Sequence, residues 1–268
     1  MAPLLRSPNP LDTMSARPYL LAETNWKTVR ATDYHAAVLP WGATEAHNYH
    51  LPYGTDCFQC DHIAAAAAEE AWDRGAHVLV LPTVPFGVNT GHRGIKGTVN
   101  MRPSTQAAVL RDVADSLAAQ GVDRLVVLNG HGGNNFKALL RELQADVPAL
   151  FVSLVNWFQI GDHRDYFTQQ GDHAGEMETS VMLHLAPDLV RPLDEAGEGA
   201  ARSFRIEALR TDWAWAERHW PAATDDTGSG NPKPATADKG AAYLDEVITK
   251  IADYFVDLAA ADLDDLYA

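Results

Sequence analysis

The stretch His35-Ala-Ala-Val-Leu-Pro-Trp-Gly42 decides how the chain is read. It is an apolar run closed by a glycine, the pattern of a strand buried on both faces that ends in a turn. Outward from it the same theme recurs. Asp61 to Arg74 is alanine-rich and predicts a helix stopped at Gly75. His77-Val-Leu-Val-Leu-Pro82 predicts a second strand. Ser104 and the alanine/leucine pattern behind it predict a capped helix ending near Gly121. Arg124-Leu-Val-Val-Leu-Asn129 is a third strand, followed by a glycine-rich turn and a helix from Asn135 to Asp146. Ala149-Leu-Phe-Val-Ser-Leu-Val155 is a fourth. Strand and helix alternating at this spacing predict an α/β fold with a mainly parallel sheet covered on both faces. Further on, Gly175 to Leu185 and Lys239 to Leu263 read as helices. Residues 195 to 235 have no clean period but contain Trp213, Trp215 and Trp220 and a loop from Asp225 to Pro234.

The whole chain bounds what such a fold can do. Its 268 residues, 46% hydrophobic and 21% charged, suit a globular protein with a sizeable core. With 21 basic against 36 acidic side chains the formal charge is -15, which repels phosphate backbones and argues against a nucleic-acid partner. Cys57 and Cys60 form a lone C-x-x-C without a second pair, and they are expected as buried thiols rather than a zinc site. Residues 1–18 hold four prolines and no sustained apolar run. They predict a flexible arm, neither signal peptide nor membrane span, ahead of one domain over 19–268, with the cytoplasm as the expected compartment.

Three clusters carry the chemistry. The first, Gly42-Ala-Thr-Glu45-Ala-His47-Asn-Tyr-His50-Leu-Pro-Tyr-Gly-Thr-Asp56, follows the first strand, and ligands collect beyond the carboxyl ends of strands in open α/β sheets. Imidazole and carboxylate suit zinc, manganese or iron, and an aspartate can bridge two ions. A polar loop with chance histidines accounts for this spacing equally well. The second, Asn129-Gly-His131-Gly-Gly-Asn134-Asn135, follows the third strand. Its histidine favours a ligand role over a plain tight turn or an anion cradle. The third, Asp172-His173-Ala-Gly-Glu176-Met-Glu178-Thr179-Ser180, opens a helix, where acids also serve simply by offsetting the dipole.

Taken together, E-x-H at Glu45 and His47, Asp56, N-G-H-G-G-N at 129–134, H-A-G-E-x-E-T-S at 173–180 and the tail pattern Thr227-Gly-Ser-Gly-Asn-Pro resemble the creatininase family over nearly all of the chain after residue 20. The resemblance implies a three-layer α/β/α sandwich, a homo-oligomer (a hexamer favoured) and two divalent metal ions, Zn, Mn or Fe. It implies that Glu45 and His131 hold one ion, that His47 holds the other and that Asp56 bridges them. His173 matches the family's catalytic histidine, and Trp157 a substrate-contacting tryptophan. Gly132 and Gly133 stand where creatininase itself has a tyrosine and a metal-binding glutamate. The second ion therefore takes another carboxylate, Glu178 with Glu176 as runner-up. The second tryptophan of the creatinine pocket has no counterpart, Gln169 and Gly171 occupying that stretch, and both changes weigh against creatinine as substrate.

The expected activity is hydrolysis of an amide, cyclic amide or formamide C–N bond of a small molecule by metal-activated water. His173 would carry the proton to the leaving group, with Glu178 beside it. His50, Gly132, Gly133 and Trp157 are the expected substrate contacts. Opening of a cyclic polyol ketone, and a metal-dependent sugar isomerase or lyase, are the alternatives.

Overall fold

The computed structural model describes residues 17–268. The expected arm over 1–18 therefore lies, except for Arg17 and Pro18, outside the described residues. The elements run α1 Trp26–Ala31, β1 Ala36–Trp41, α2 Thr55–Asp73, β2 Val78–Val80, α3 Pro103–Ala119, β3 Arg124–Asn129, α4 Phe136–Asp146 and β4 Phe151–Asn156. They continue through β5 Gly171–His173, α5 Glu176–Leu185, α6 Glu207–Arg210, α7 Trp220–Ala223, β6 Ser229–Gly230 and α8 Ala237–Ala260. The main departure from expectation is α2, which begins at Thr55 rather than Asp61. Alanine content marks its interior, but its start depends on Gly54 and on Asp56 in the first turn, where an acid is favourable.

β1 to β4 form one parallel sheet in the order β2-β1-β3-β4. The chain moves from β1 to β2 on one side, then returns to place β3 on the other side of β1. Right-handed crossovers put the helix of the first move on one face and those of the later moves on the opposite face. Accordingly Ala36, Val38, Val126 and Leu128 pack with α2 and α8, while Ala37, Leu39, Leu125 and Val127 pack with α3 and α4. Period two along β1 and β3 thus feeds two separate cores, which is why those strands read as unbroken apolar runs. This is a three-layer sandwich with a parallel centre. On the outer layer, α5 lies hard against α8. A Cβ at Gly240 would stand 2.0 Å from the Ser180 carbonyl oxygen, so only glycine permits that approach.

Because β1 and β3 are neighbours whose next connections leave in opposite directions, a crevice opens beyond their carboxyl ends. Trp41 pairs with Asn129 in register, and the Gly130 N–H donates to the Trp41 carbonyl. The loops after the two strands therefore start side by side. The short antiparallel pair β5–β6 brings the third cluster to the same end.

Candidate metal centre

Glu45 and His47 stand on the loop after β1, Asp56 in the first turn of α2, and His131 just after β3. His173 ends β5 and Glu178 lies in the first turn of α5. All converge in the crevice. The Asp56 carboxylate is divided between two histidines, with Oδ1 3.0 Å from His47 Nε2 and Oδ2 3.2 Å from His131 Nδ1. Glu45 Oε1 lies 3.0 Å from the same His131 nitrogen. Glu178 Oε1 lies 4.0 Å from His47 Nε2, and its Oε2 accepts the Ala174 N–H.

Each of three histidines spends its outer nitrogen on a backbone carbonyl. His47 Nδ1 donates to Glu45 O at 3.1 Å, His131 Nε2 to Val88 O at 3.1 Å, and His173 Nε2 to Ala46 O at 2.8 Å. Those bonds fix the rings and aim the inner nitrogens at the carboxylates, as histidines around a metal are held. Local backbone strain helps. Asn48 and Ala174, the residues after His47 and His173, have φ of 55° and 51°. For an alanine that left-handed conformation costs roughly 1 kcal/mol, offset here by the Glu178 bond to its N–H. Asn48 is tied by Thr227 and Gly197, so the tail motif braces the first cluster from behind.

The donor set fits divalent cations. His47 Nε2 and Asp56 Oδ2 are buried and without a hydrogen bond. Leaving such atoms bare is costly unless something positive meets them. Glu45, Asp56 and His131 converge closely enough to hold one ion, and His47, Asp56 and Glu178 to hold another, with Asp56 common to both; Glu45, His47 and His173 form a third grouping as close. Without a cation the histidines supply the charge. Burial opposes it, but Asp56, Glu178 and Glu45 together raise His47 to about 10. Glu45 and Asp56 likewise raise His131 well above the usual imidazole range against its burial. Burial would push Glu45 and Asp56 up, yet His131 and His173 hold Glu45 low and His47 and His131 hold Asp56 low. Glu178 is pushed up by its burial.

Several expected contacts are placed elsewhere. Glu176, the second candidate ligand, is buried facing away from the cluster. Its Oε2 accepts from the Thr168 and Gln169 N–H groups, and its Oε1 pairs with Lys239. Two residues along a helix is about 200° around it, so Glu176 and Glu178 cannot share a target. Trp157 is a core residue rather than a substrate contact, fully buried against Tyr243 because the chain turns inward after β4. His50 is buried with Nε2 at 2.8 Å from Thr179 Oγ1, behind the cluster and off the cavity wall. Its burial pushes it down to about 4. Gly132 and Gly133 do line the cavity. A Cβ at Gly133 would stand 2.3 Å from Val88 O and 2.5 Å from His131 Nε2. Cys57 and Cys60 are free thiols on α2, turned to the carbonyls at the ends of β1 and β3.

The sequence reading missed His92, on the turn between β2 and α3, whose Nδ1 lies 3.0 Å from Glu45 Oε2. Asn-Thr-Gly-His, a glycine-histidine pair beyond a strand, was the available signal. The cavity in front of the cluster measures about 1490 Å³ and is walled by Trp220, Trp215, Phe204, Arg218 and the 158–164 turn. Trp220 meets His173 edge-on at 4.9 Å. Of the three late tryptophans, Trp220 and Trp215 line this wall and Trp213 does not, and both Trp213 and Trp215 are largely exposed, at 78% and 83%. No described helix is long and apolar enough to cross a membrane.

Residues 22–255 match the family described as Creatininase, creatinine amidohydrolase. A mycofactocin precursor peptide peptidase of Mycobacterium ulcerans is 31% identical over 228 residues, 80% of this chain and 84% of that one. A creatinine amidohydrolase of Pseudomonas putida is 28% identical over 87% of this chain and 94% of its own length. Among solved structures, a Bacteroides fragilis protein named for creatinine amidohydrolase activity superposes with a TM-score of 0.88 at 44% identity, covering 93% of this chain and 99% of that one. Creatininases solved in a manganese form and as a Zn-Zn mutant superpose with TM-scores of 0.76 and 0.74, at 25% and 26% identity, each covering 91% of this chain and 99% of its own.

Proposed function

Since the chain belongs to the creatininase family and is a metal-dependent hydrolase of the amidohydrolase type, we propose that it cleaves a C–N bond at a two-metal site built on Asp56. One observation carries this reading: the two oxygens of the fully buried Asp56 face two histidines, 3.0 and 3.2 Å away, that arrive from different loops. Glu45, Asp56 and His131 would hold one cation, and His47, Asp56 and Glu178 the other. Bound there, the cations supply Lewis acidity and a water whose pKa is brought toward neutrality.

The chain's own residues do the rest. His173 carries its proton on Nε2, because only a donor satisfies the Ala46 carbonyl, so Nδ1 faces the cluster as a base. From there it takes a proton from the attacking water and returns it to the leaving nitrogen. Gly132 leaves open space at the wall, where a Cβ would meet nothing within 4 Å. Trp220 stands edge-on to His173 and walls the cavity beside it.

Within this reading the substrate is an amide-type molecule. The cavity of about 1490 Å³ exceeds the roughly 300–1,000 Å³ of ordinary ligand pockets, which favours an extended amide such as a short peptide over a single small ring. The peptide peptidase relatives point the same way. Ring opening of a polyol ketone and a sugar isomerase or lyase are not favoured by the family. A homo-oligomer, with a hexamer as the first expectation, would cover Trp213 and Ile206, which are 78% and 63% exposed. Light scattering on the purified chain tests that.

The activity test is to strip the protein with a chelator, restore manganese or zinc, and offer formamides, creatinine, short peptides and an inosose. Metal-dependent hydrolysis of an amide C–N bond, seen as a freed amine or as an opened ring, is expected. Hydrolysis that survives metal removal, or turnover of the inosose alone, overturns the proposal.

A further inference from the structure

His92 lies outside all three motif clusters, yet it meets one of the buried carboxylates at the centre. Glu45 is 1% exposed and uses Oε1 toward His131. Its Oε2 has no hydrogen bond, and the polar group within reach is His92 Nδ1, at 3.0 Å. A carboxylate oxygen taken out of water needs a donor. Since a carboxylate only accepts, the proton of a neutral His92 belongs on Nδ1. Nε2 then has none to place, in keeping with its being buried and unpartnered.

The ring is held from its other side. Trp220 stacks on His92 with centroids 4.3 Å apart and planes 18° apart. The Arg218 guanidinium lies 4.7 Å from the Trp220 ring centroid, and Arg218 is itself paired with Asp172. The backbones touch as well. A Cβ at Gly91 would fall 2.1 Å from the Arg218 carbonyl oxygen, so the loop bearing His92 and the segment bearing Trp220 meet at a distance only glycine allows.

Resting on the two-metal reading above, we propose that His92 is a positioning residue of the metal centre: it engages Oε2 of Glu45 and leaves Oε1 alone turned to His131 to receive a cation. Trp220 keeps the imidazole in that orientation. The cavity wall and the ligand set are thereby one mechanical unit.

The test is a cobalt(II) titration of the chelator-stripped full chain, followed by the visible spectrum and by competition with a chromophoric chelator. His92→Ala is expected to weaken one of two cobalt equivalents about 10- to 100-fold, with a changed spectrum, the usual consequence of removing a residue that orients a ligand. His92→Asn puts an amide donor where Nδ1 stands and is expected to restore most of the affinity and the original spectrum. Circular dichroism of each metal-free variant reports whether the fold is kept. If His92→Ala titrates like the unaltered chain, the inference is wrong. It is equally wrong if His92→Asn is no better than His92→Ala while folded, because the ring then acts only by filling space or as a ligand itself. An unaltered chain that takes up no cobalt sinks the two-metal reading as well, and so separates the two failures.

Discussion

Asp56 Oδ1 stands 3.0 Å from His47 Nε2, and neither side chain reaches solvent. An aspartate one turn into a long helix thereby meets a histidine nine positions earlier, across the turn that joins β1 to α2. Asp56 belongs to two of the three ligand groupings among the described residues, Glu45–Asp56–His131 and His47–Asp56–Glu178. Replacing Asp56 with Ala is therefore expected to abolish uptake of both metal equivalents, whereas Glu178→Ala keeps one. Metal analysis of the dialysed variants checks this. Two equivalents bound to Asp56→Ala would remove its bridging role.

His173→Ala is expected to leave metal content unchanged and to lower turnover by about 10²- to 10⁴-fold, the usual contribution of a general acid–base group. The prediction follows from the geometry at the ring, whose Nε2 is committed to Ala46 and whose Nδ1 is 3.7 Å from Glu45 Oε1. A variant that retains full turnover on a metal-loaded centre would falsify the assignment.

Metal uptake is expected to release protons. In the metal-free protein Asp56, Glu178 and Glu45 outweigh burial and raise His47 to about 10, and Glu45 and Asp56 likewise raise His131. Both rings are charged at neutral pH, and a cation must displace those protons to reach the nitrogens. Affinity therefore falls as pH drops. For the metal-free fold the sign is the same as for any raised histidine. The contribution of His47 is complete below the ordinary value of 6.5 and is lost as pH rises through about 10. Calorimetry at pH 7 in buffers of different ionisation enthalpy should give a heat that varies with the buffer, and a constant heat would contradict this charge assignment.

Gly133→Ala is expected to displace His131 and weaken the metal held with Glu45, because the new Cβ would press on both Val88 O and the His131 ring. Gly132→Ala meets nothing within 4 Å and should leave affinity unchanged. The paired titrations separate a steric requirement from a general dislike of side chains in that turn.

Glu176→Ala should cost stability rather than metal. Its carboxylate is buried and paired with Lys239, and breaking such a pair costs about 3 kcal/mol. A lower thermal midpoint with unchanged metal stoichiometry is the expected outcome. Loss of an equivalent would return Glu176 to the ligand set.

Much of this was legible from residue order. Period and composition marked all four parallel strands, since a strand covered on both faces must be apolar throughout and β1 and β3 are. The residues of E-x-H, N-G-H-G-G and H-A-G-E-x-E stood at strand ends and helix starts, where a doubly covered sheet collects its ligands. Other features depend on direction, which spacing does not carry. Glu176 and Glu178 are equivalent as letters, and only the rotation of α5 sends one to Lys239 and the other toward His47. The resemblance implies a substrate contact at Trp157, and the fold buries that side chain completely instead.

His92 shows the same limit from the other side. Its neighbours in sequence give no cluster, and its partners Glu45 and Trp220 come from segments far away on either side. The order of residues by itself determined the sheet, its two cores and the loops that supply ligand chemistry, because burial and turn formation are local demands on composition and period. Only the tertiary structure decided which side chains meet, because a hydrogen bond or a ligand bond needs agreement within a few tenths of an ångström between segments that chain distance does not relate.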